Sequence, residues 1–218
     1  MVSKEKKIIF LLPPKTASNS LVQTLMNNGL TPDSQSKKYP ISKIHLKLDE
    51  IMDRYDIESL EGYKVIQVTR DPYLRFMSSY FHQIRMVESQ NVLVGKHDFT
   101  VFLNHLSSTI NSPNFIKDFY GDDSFVNWDI DNNSTWGGIR LYHSQHSWKN
   151  VDCNYYHFKL EDILNDISGI SNLVGLDLPP LITLNKNPLR VSYDKYLTDT
   201  NKKIIRNMFS IDFDTFSY

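Results

Sequence analysis

Apolar residues along this chain fall into two kinds of run, short continuous ones and longer ones with a helical period. Lys7-Ile-Ile-Phe-Leu-Leu12 is of the first kind and is closed by Pro13-Pro14, which predicts a strand buried in a parallel sheet. Ser18 to Leu30 is of the second kind, with Leu21 and Leu25, joined by Val22 and Met26, turned inward until Asn27-Asn28-Gly29 stops the helix. The spacing of Leu48, Ile51 and Met52 predicts another helix over Lys43 to Tyr55, although Pro40 to Ile44 also suits a short edge strand. Lys64-Val-Ile-Gln-Val-Thr69 is a second compact apolar run. Arg70-Asp71-Pro72 ends it, and Pro72 suits the first turn of a helix, where its missing N–H is not needed. That helix continues toward Val92, with Leu74, Met77, Tyr80, Phe81 and Ile84 on its apolar face.

A further helix runs from Asp98-Phe99 through Leu106. Residues 110–140, rich in Asn, Asp, Ser and Gly, keep no period and suit an irregular, substrate-facing segment or lid. Asn154-Tyr-Tyr-His-Phe158 predicts a third core strand. Leu160, Ile163, Leu164, Ile167 and Val174 mark one helix ending near Gly175, and Asp199 to Phe209 marks the last, after a Pro/Asn-rich connection around Pro179 to Pro188. Short strands each followed by a helix predict an α/β three-layer sandwich about a central, mostly parallel sheet. No repeat or linker divides the chain, so residues 1–218 are expected to form a single domain.

Composition narrows the function classes. The net charge is -1, which argues against a general nucleic-acid binder. The small basic excess lies in residues 1–90, with 13 Lys and Arg against 10 Asp and Glu. Cys153 is the only cysteine, so no intramolecular disulfide is possible. No apolar stretch is long enough for a membrane span, and the run Ile8 to Pro13 is too short for a secretory signal, so none is expected. The cytoplasm is therefore the expected compartment, and the sequons in Asn132-Asn133-Ser134-Thr135 carry little weight.

Pro13-Pro14-Lys15-Thr16-Ala17-Ser18-Asn19-Ser20-Leu21 sets a lysine, three hydroxyls and an amide between a strand and a helix. Such a turn offers backbone N–H groups and the positive end of the helix dipole to a phosphate, and Lys15 adds a mobile charge. The same residues also suit an ordinary capped helix beside a solvated lysine, and the GxxxxGK[ST] pattern of ATP- and GTP-binding loops is absent. In Val68-Thr-Arg70-Asp-Pro-Tyr-Leu-Arg75-Phe-Met-Ser78-Ser-Tyr80, Arg70 ends a strand and Ser78 lies two turns into the following helix. Ligands of α/β sheets sit at that edge, and an Arg beside a hydroxyl can hold an anion. Arg75 suits a structural ion pair, for example with Asp71.

These two segments resemble those of the 3′-phosphoadenosine 5′-phosphosulfate (PAPS)-dependent sulfotransferases, most closely the carbohydrate branch. PKTASNSL, Pro14 to Leu21, is similar to that family's PKTGTTSL, and Arg70 to Tyr80 satisfy R-[DN]-P-x-x-R-x-x-S-x-Y. Leu141 to Trp148, Phe158 to Ile163 and the aromatic ending Ile211 to Tyr218 extend the likeness over nearly the whole chain. The resemblance implies a P-loop-like sulfotransferase fold and transfer of a sulfuryl group by direct in-line displacement, with 3′,5′-adenosine bisphosphate (PAP) as the other product. It makes Lys15, Thr16, Ala17, Ser18, Asn19 and Ser20 the 5′-phosphosulfate cradle and Arg70 with Ser78 the 3′-phosphate clamp, and it brings Gln145 and Trp148 toward adenine. Ala17 departs from the family glycine, which matters if the backbone there needs a positive φ.

His45 resembles the histidine base of several carbohydrate sulfotransferases, and an imidazole titrating near neutrality suits proton abstraction. Asp49, Glu50 and Glu88 are rival bases, and His82 could meet substrate. Lys15 is expected to stabilise charge on the leaving oxygen. The implied acceptor is a carbohydrate or another small hydroxyl-bearing molecule. His143, His146 and His157 do not form a recognised metal pattern, so no metal is expected. Lys186 and Arg190 suit either cofactor phosphates or solvent. Two alternatives share these features: a nucleotide-dependent kinase with a divergent phosphate loop, and a non-catalytic glycan- or peptide-binding member of the same fold.

Overall fold

Alternate residues of the first apolar run feed two different cores. In a computed structural model of the chain, which describes residues 1–33, 45–89, 99–110, 139–181 and 192–218, β1 (Val2–Ser3) pairs antiparallel with β2 (Ile8–Leu11). β3 (Lys64–Thr69) runs parallel to β2, and β4 (Tyr155–Lys159) runs parallel to β3, giving the order β1-β2-β3-β4. Ile8, Phe10, Ile66 and Val68 point to one face of this sheet, and Ile9, Leu11 and Val65 to the other. A period of two with both faces apolar is why each run is continuous in sequence.

Helices cover both faces. Leu21 and Leu25 of α1 (Ser18–Asn27) join the first face together with α5 (Leu160–Ile163) and α6 (Ser168–Val174). Leu48 and Ile51 of α2 (Leu48–Arg54) and fully buried Trp148 cover the second. The chain has a mixed α/β fold in which a four-stranded, mostly parallel sheet is flanked by helices. α1 ends as its sequence predicts: Gly29 takes φ +93°, and its N–H and that of Leu30 return to the carbonyls of Met26 and Leu25.

The chain divides into two compact units. The sheet belongs to the first, Met1–Asp71 with Gln145–Leu189. The second, Pro72–Ser144 with Arg190–Tyr218, is helical among the described residues. It holds α3 (Pro72–Ser89), α4 (Phe99–Thr109), a 3-10 turn at Ile139–Tyr142, α7 (Asp199–Met208) and α8 (Ser210–Phe216). Its core is aromatic, with Phe76, Tyr80, Phe99, Tyr142, Phe209 and Phe213 among the buried residues. Arg75 is buried there and donates from Nη2 to the Leu141 carbonyl at 3.2 Å, and Ser79 Oγ donates to the same oxygen.

Several elements differ from expectation. The single helix predicted over residues 160–174 is two, because the Asp166 carboxylate accepts the Ser168 N–H at 2.8 Å and starts α6 afresh, leaving Leu164 exposed. Helix α2 starts at Leu48 and not at Lys43. Its first turn is closed by Lys47 N–H donating to Glu50 Oε2 at 2.7 Å. The antiparallel β1 was too short to leave a periodic signal, and α8 adds a helix beyond the predicted last one. The edge strand suggested at Pro40 to Ile44, the body of the irregular segment 110–140, Lys186 and Arg190 lie outside the described residues. Among the described residues no helix is long and apolar enough to cross a membrane.

Candidate functional site

Parallel pairing brings the carboxyl ends of β2, β3 and β4 to one edge of the sheet. The loop after β2 holds its shape through side chains that turn back on it. Thr16 Oγ1 donates to the Pro13 carbonyl at 2.8 Å and Ser18 Oγ donates to the same oxygen at 3.2 Å. Both residues are buried, and their hydroxyls are engaged inside the loop. Lys15 and Ala17 adopt positive φ, +70° and +58°, on either side of Thr16, and α1 begins at Ser18. Backbone of alternating hand turns successive N–H groups toward a common concavity, and the first turn of a helix has N–H groups without intrahelical acceptors. Asn19 is exposed and Ser20 is buried in that first turn.

Ala17 therefore stands where the backbone is left-handed, with φ +58° and ψ +29°. A side chain makes that conformation less favourable than it is for glycine. The methyl group packs against the core beneath α1, and that burial offsets part of the strain.

Arg70 follows the last residue of β3, and its guanidinium reaches back to the first loop. Nη1 donates to the Lys15 carbonyl at 3.3 Å. The two basic segments, 55 residues apart in sequence, thus meet directly. His45 comes to the same edge by a different route. Its Nδ1 lies 2.6 Å from the carbonyl of Leu12, the residue that leaves β2. A carbonyl can only accept, so Nδ1 carries the proton and the neutral ring keeps its basic lone pair on Nε2. The half-buried His45 and Arg70 are therefore fixed by their side chains to the backbone of the segment that leaves β2, Arg70 through the carbonyl of half-buried Lys15.

Other candidates fall elsewhere. Gln145 is fully buried and uses its amide on the main chain of Arg70: Oε1 accepts the Arg70 N–H at 2.8 Å and Nε2 donates to the Arg70 carbonyl at 2.9 Å. Trp148 has no exposed surface and packs among Ile9, Leu11, Leu48 and Ile51, so its indole fills core and does not present a face to a nucleotide. Ser78 lies half-buried on α3, in the second unit, as does His82. Asp49 is exposed, and Glu50 is engaged in the first turn of α2. Glu88 lies on α3, and its side chain is outside the described residues. Cys153 is half-buried, and burial pushes its thiol pKa up, against a nucleophilic role. Among the described residues no three His, Cys, Asp or Glu side chains are placed to hold a metal ion.

Some supporting residues gave little sign of themselves in the sequence. Thr69 Oγ1 shares a hydrogen bond of 2.6 Å with His157 Nε2, and Tyr155 Oη donates to Gln67 Oε1 at 2.8 Å. Burial, reinforced by the Lys159 ammonium and opposed by Asp162, pulls the His157 pKa below its ordinary value. Glu161 Oε1 accepts the Asp71 N–H at 3.1 Å, tying the second motif to the start of α5. The available signal was Gln67 and Thr69, two polar residues on one face of an otherwise apolar strand, where burial demands partners.

The arrangement suits a dianionic ligand, with cations and backbone N–H groups at adjacent strand ends and an imidazole beside them. A groove of about 620 Å³ between Ile163 and Pro180 includes Asp166 and Asp177 in its lining, and its acidic side chains suit no such anion. A search of curated proteins returned no match. The model of the Sulfotransferase family matches residues 1–218. The chain thus belongs to the Sulfotransferase family and is a PAPS-dependent enzyme of sulfuryl transfer.

Proposed function

We propose that this sulfotransferase acts on a hydroxyl group of a carbohydrate, with residues 1–218 working as one domain, Lys15 and the 15–20 loop holding the 5′-phosphosulfate, Arg70 holding the 3′-phosphate, and His45 serving as base. The observation that supports this reading is the hydrogen bond from the Arg70 guanidinium to the Lys15 carbonyl, which joins the two motifs. PAPS brings a sulfuryl group already activated by a phosphate leaving group. The protein has three tasks left. Backbone N–H groups of the loop and the Lys15 ammonium orient the charged end and neutralise charge as it accumulates on the departing oxygen. Arg70 recognises the phosphate that distinguishes PAPS from ATP, since without it a cation site is left unpaired. His45 Nε2 accepts the acceptor hydroxyl's proton while Nδ1–H stays on the Leu12 carbonyl, which holds the ring in its basic tautomer.

The carbohydrate assignment draws on the likeness of the two motifs to the carbohydrate branch and on the availability of a histidine base. It is tested by transfer of labelled sulfate from PAPS into a panel of glycans, phenols and lipid alcohols, with product mass and linkage determined. Label in a glycan hydroxyl is the expected result, and label confined to phenols or lipids contradicts it. His45→Asn can still donate to the Leu12 carbonyl from its Nδ2, which takes the place of Nδ1, yet has no basic nitrogen. It should lower turnover by about two to four orders of magnitude while PAP binds as before. Near-normal turnover in that variant would remove His45 from the mechanism.

A further inference from the structure

Strand β3 ends at Thr69, paired in register with Lys159 at the end of β4. Arg70 is the next residue, and its main-chain N–H and C=O need partners that are not supplied by strand pairing. Gln145 supplies both. Its side-chain amide closes a two-bond ring on the Arg70 peptide groups, at 2.8 Å and 2.9 Å, in the manner of one more strand residue. Gln145 is itself held. Gln67 Nε2 donates to the Gln145 carbonyl at 2.7 Å, and Gln67 Oε1 accepts from Tyr155 Oη at 2.8 Å. Gln67 and Gln145 are both fully buried, so this relay lies in a setting of low dielectric with fixed geometry.

We infer that Gln145 is a positioning residue for recognition of the 3′-phosphate, and that Gln67 and Tyr155 act behind it. The inference rests on the proposed role of Arg70. Both amide atoms of Gln145 act on the main chain of the one residue whose side chain would bear the 3′-phosphate. Rotation of that backbone would swing the guanidinium away from the Lys15 carbonyl and from any phosphate beside it. The hydrogen bonds that Thr16 and Ser18 make to close the 15–20 loop run to the Pro13 carbonyl and do not involve Gln145. Loss of Gln145 should therefore weaken one end of the ligand and spare the other.

The experiment is calorimetric titration of the full chain with PAP and with 5′-AMP, which differ only in the 3′-phosphate. Wild-type protein should prefer PAP. Absence of that preference would contradict the proposed function itself, independently of Gln145. In Gln145→Met, of similar length but unable to make either hydrogen bond, the ratio of the two dissociation constants should fall by about tenfold, with 5′-AMP affinity unchanged. A general loss of stability would weaken both ligands together. An unchanged ratio, or equal weakening of both ligands, overturns the inference. Should Gln145→Met fail to fold, Tyr155→Phe decides the matter: it removes only the outermost hydroxyl of the relay. A fall in the ratio of about two- to threefold is expected there, and a ratio equal to wild type overturns the inference.

Discussion

At Ala17 a left-handed backbone and a partly buried methyl group act in opposite directions. Its φ of +58° costs an L-residue roughly 1–2 kcal/mol, whereas glycine would add roughly 0.5–1 kcal/mol of unfolded-state entropy and lose the methyl's contact with the core. The terms nearly cancel. Ala17→Gly should change unfolding free energy by less than about 1 kcal/mol, while Ala17→Val, β-branched at a positive φ, should cost about 2 kcal/mol or more. Urea denaturation of both variants checks this, and a valine variant as stable as wild type would contradict the backbone argument. Lys15, Arg70 and His45 were legible as candidates because each sits in or near a local pattern whose chemistry shows in a few consecutive residues. Gln145 was legible only through the resemblance of the segment Leu141 to Trp148, which brought it toward adenine and not onto the main chain of Arg70. Its attachment to Arg70 spans 75 positions and depends on the sheet being formed. The same resemblance brought Trp148 toward adenine, and its burial was not legible, since an indole reads alike in sequence whether it lines a site or fills a core.

At the level of elements, the paired strands β3 and β4 carry a pH dependence. His157 is held neutral, chiefly by burial, so its folded pKa lies below the ordinary 6.5. Below that value the unfolded chain binds the proton more readily than the folded one. The contribution to stability is therefore complete above about pH 6.5 and is lost as pH falls from there through the folded value. Thermal midpoints measured at about pH 7.5 and pH 5.5 should fall further for wild type than for His157→Gln. Equal falls would mean that His157 is not the group responsible. β2 and β3 were read correctly from compact apolar runs, because burial on both faces leaves little polar alternation to confuse them. The helices after β4 were not. Helical spacing from Leu160 to Val174 is genuine, but it carries no information about a carboxylate at Asp166 that closes on the Ser168 N–H and restarts the chain.

On the scale of the whole molecule, one edge of a small, mostly parallel sheet gathers the three residues proposed to carry the chemistry. Two motifs that look independent in the sequence share a hydrogen bond, and a histidine distant from both in sequence is fastened to the strand that carries the first. The Sulfotransferase family model covers residues 1–218, and the family implies PAPS as the donor. A nucleotide-dependent kinase would use a similar loop but would have no need of a separate cation for a 3′-phosphate. The most direct test is calorimetric titration of wild type and Arg70→Ala with PAP and ATP, in the absence of added metal. The account predicts that wild type binds PAP more tightly than ATP and that Arg70→Ala loses most of that preference, about ten- to a hundredfold. Tighter binding of ATP by wild type, or a preference for PAP that survives the loss of Arg70, would contradict it.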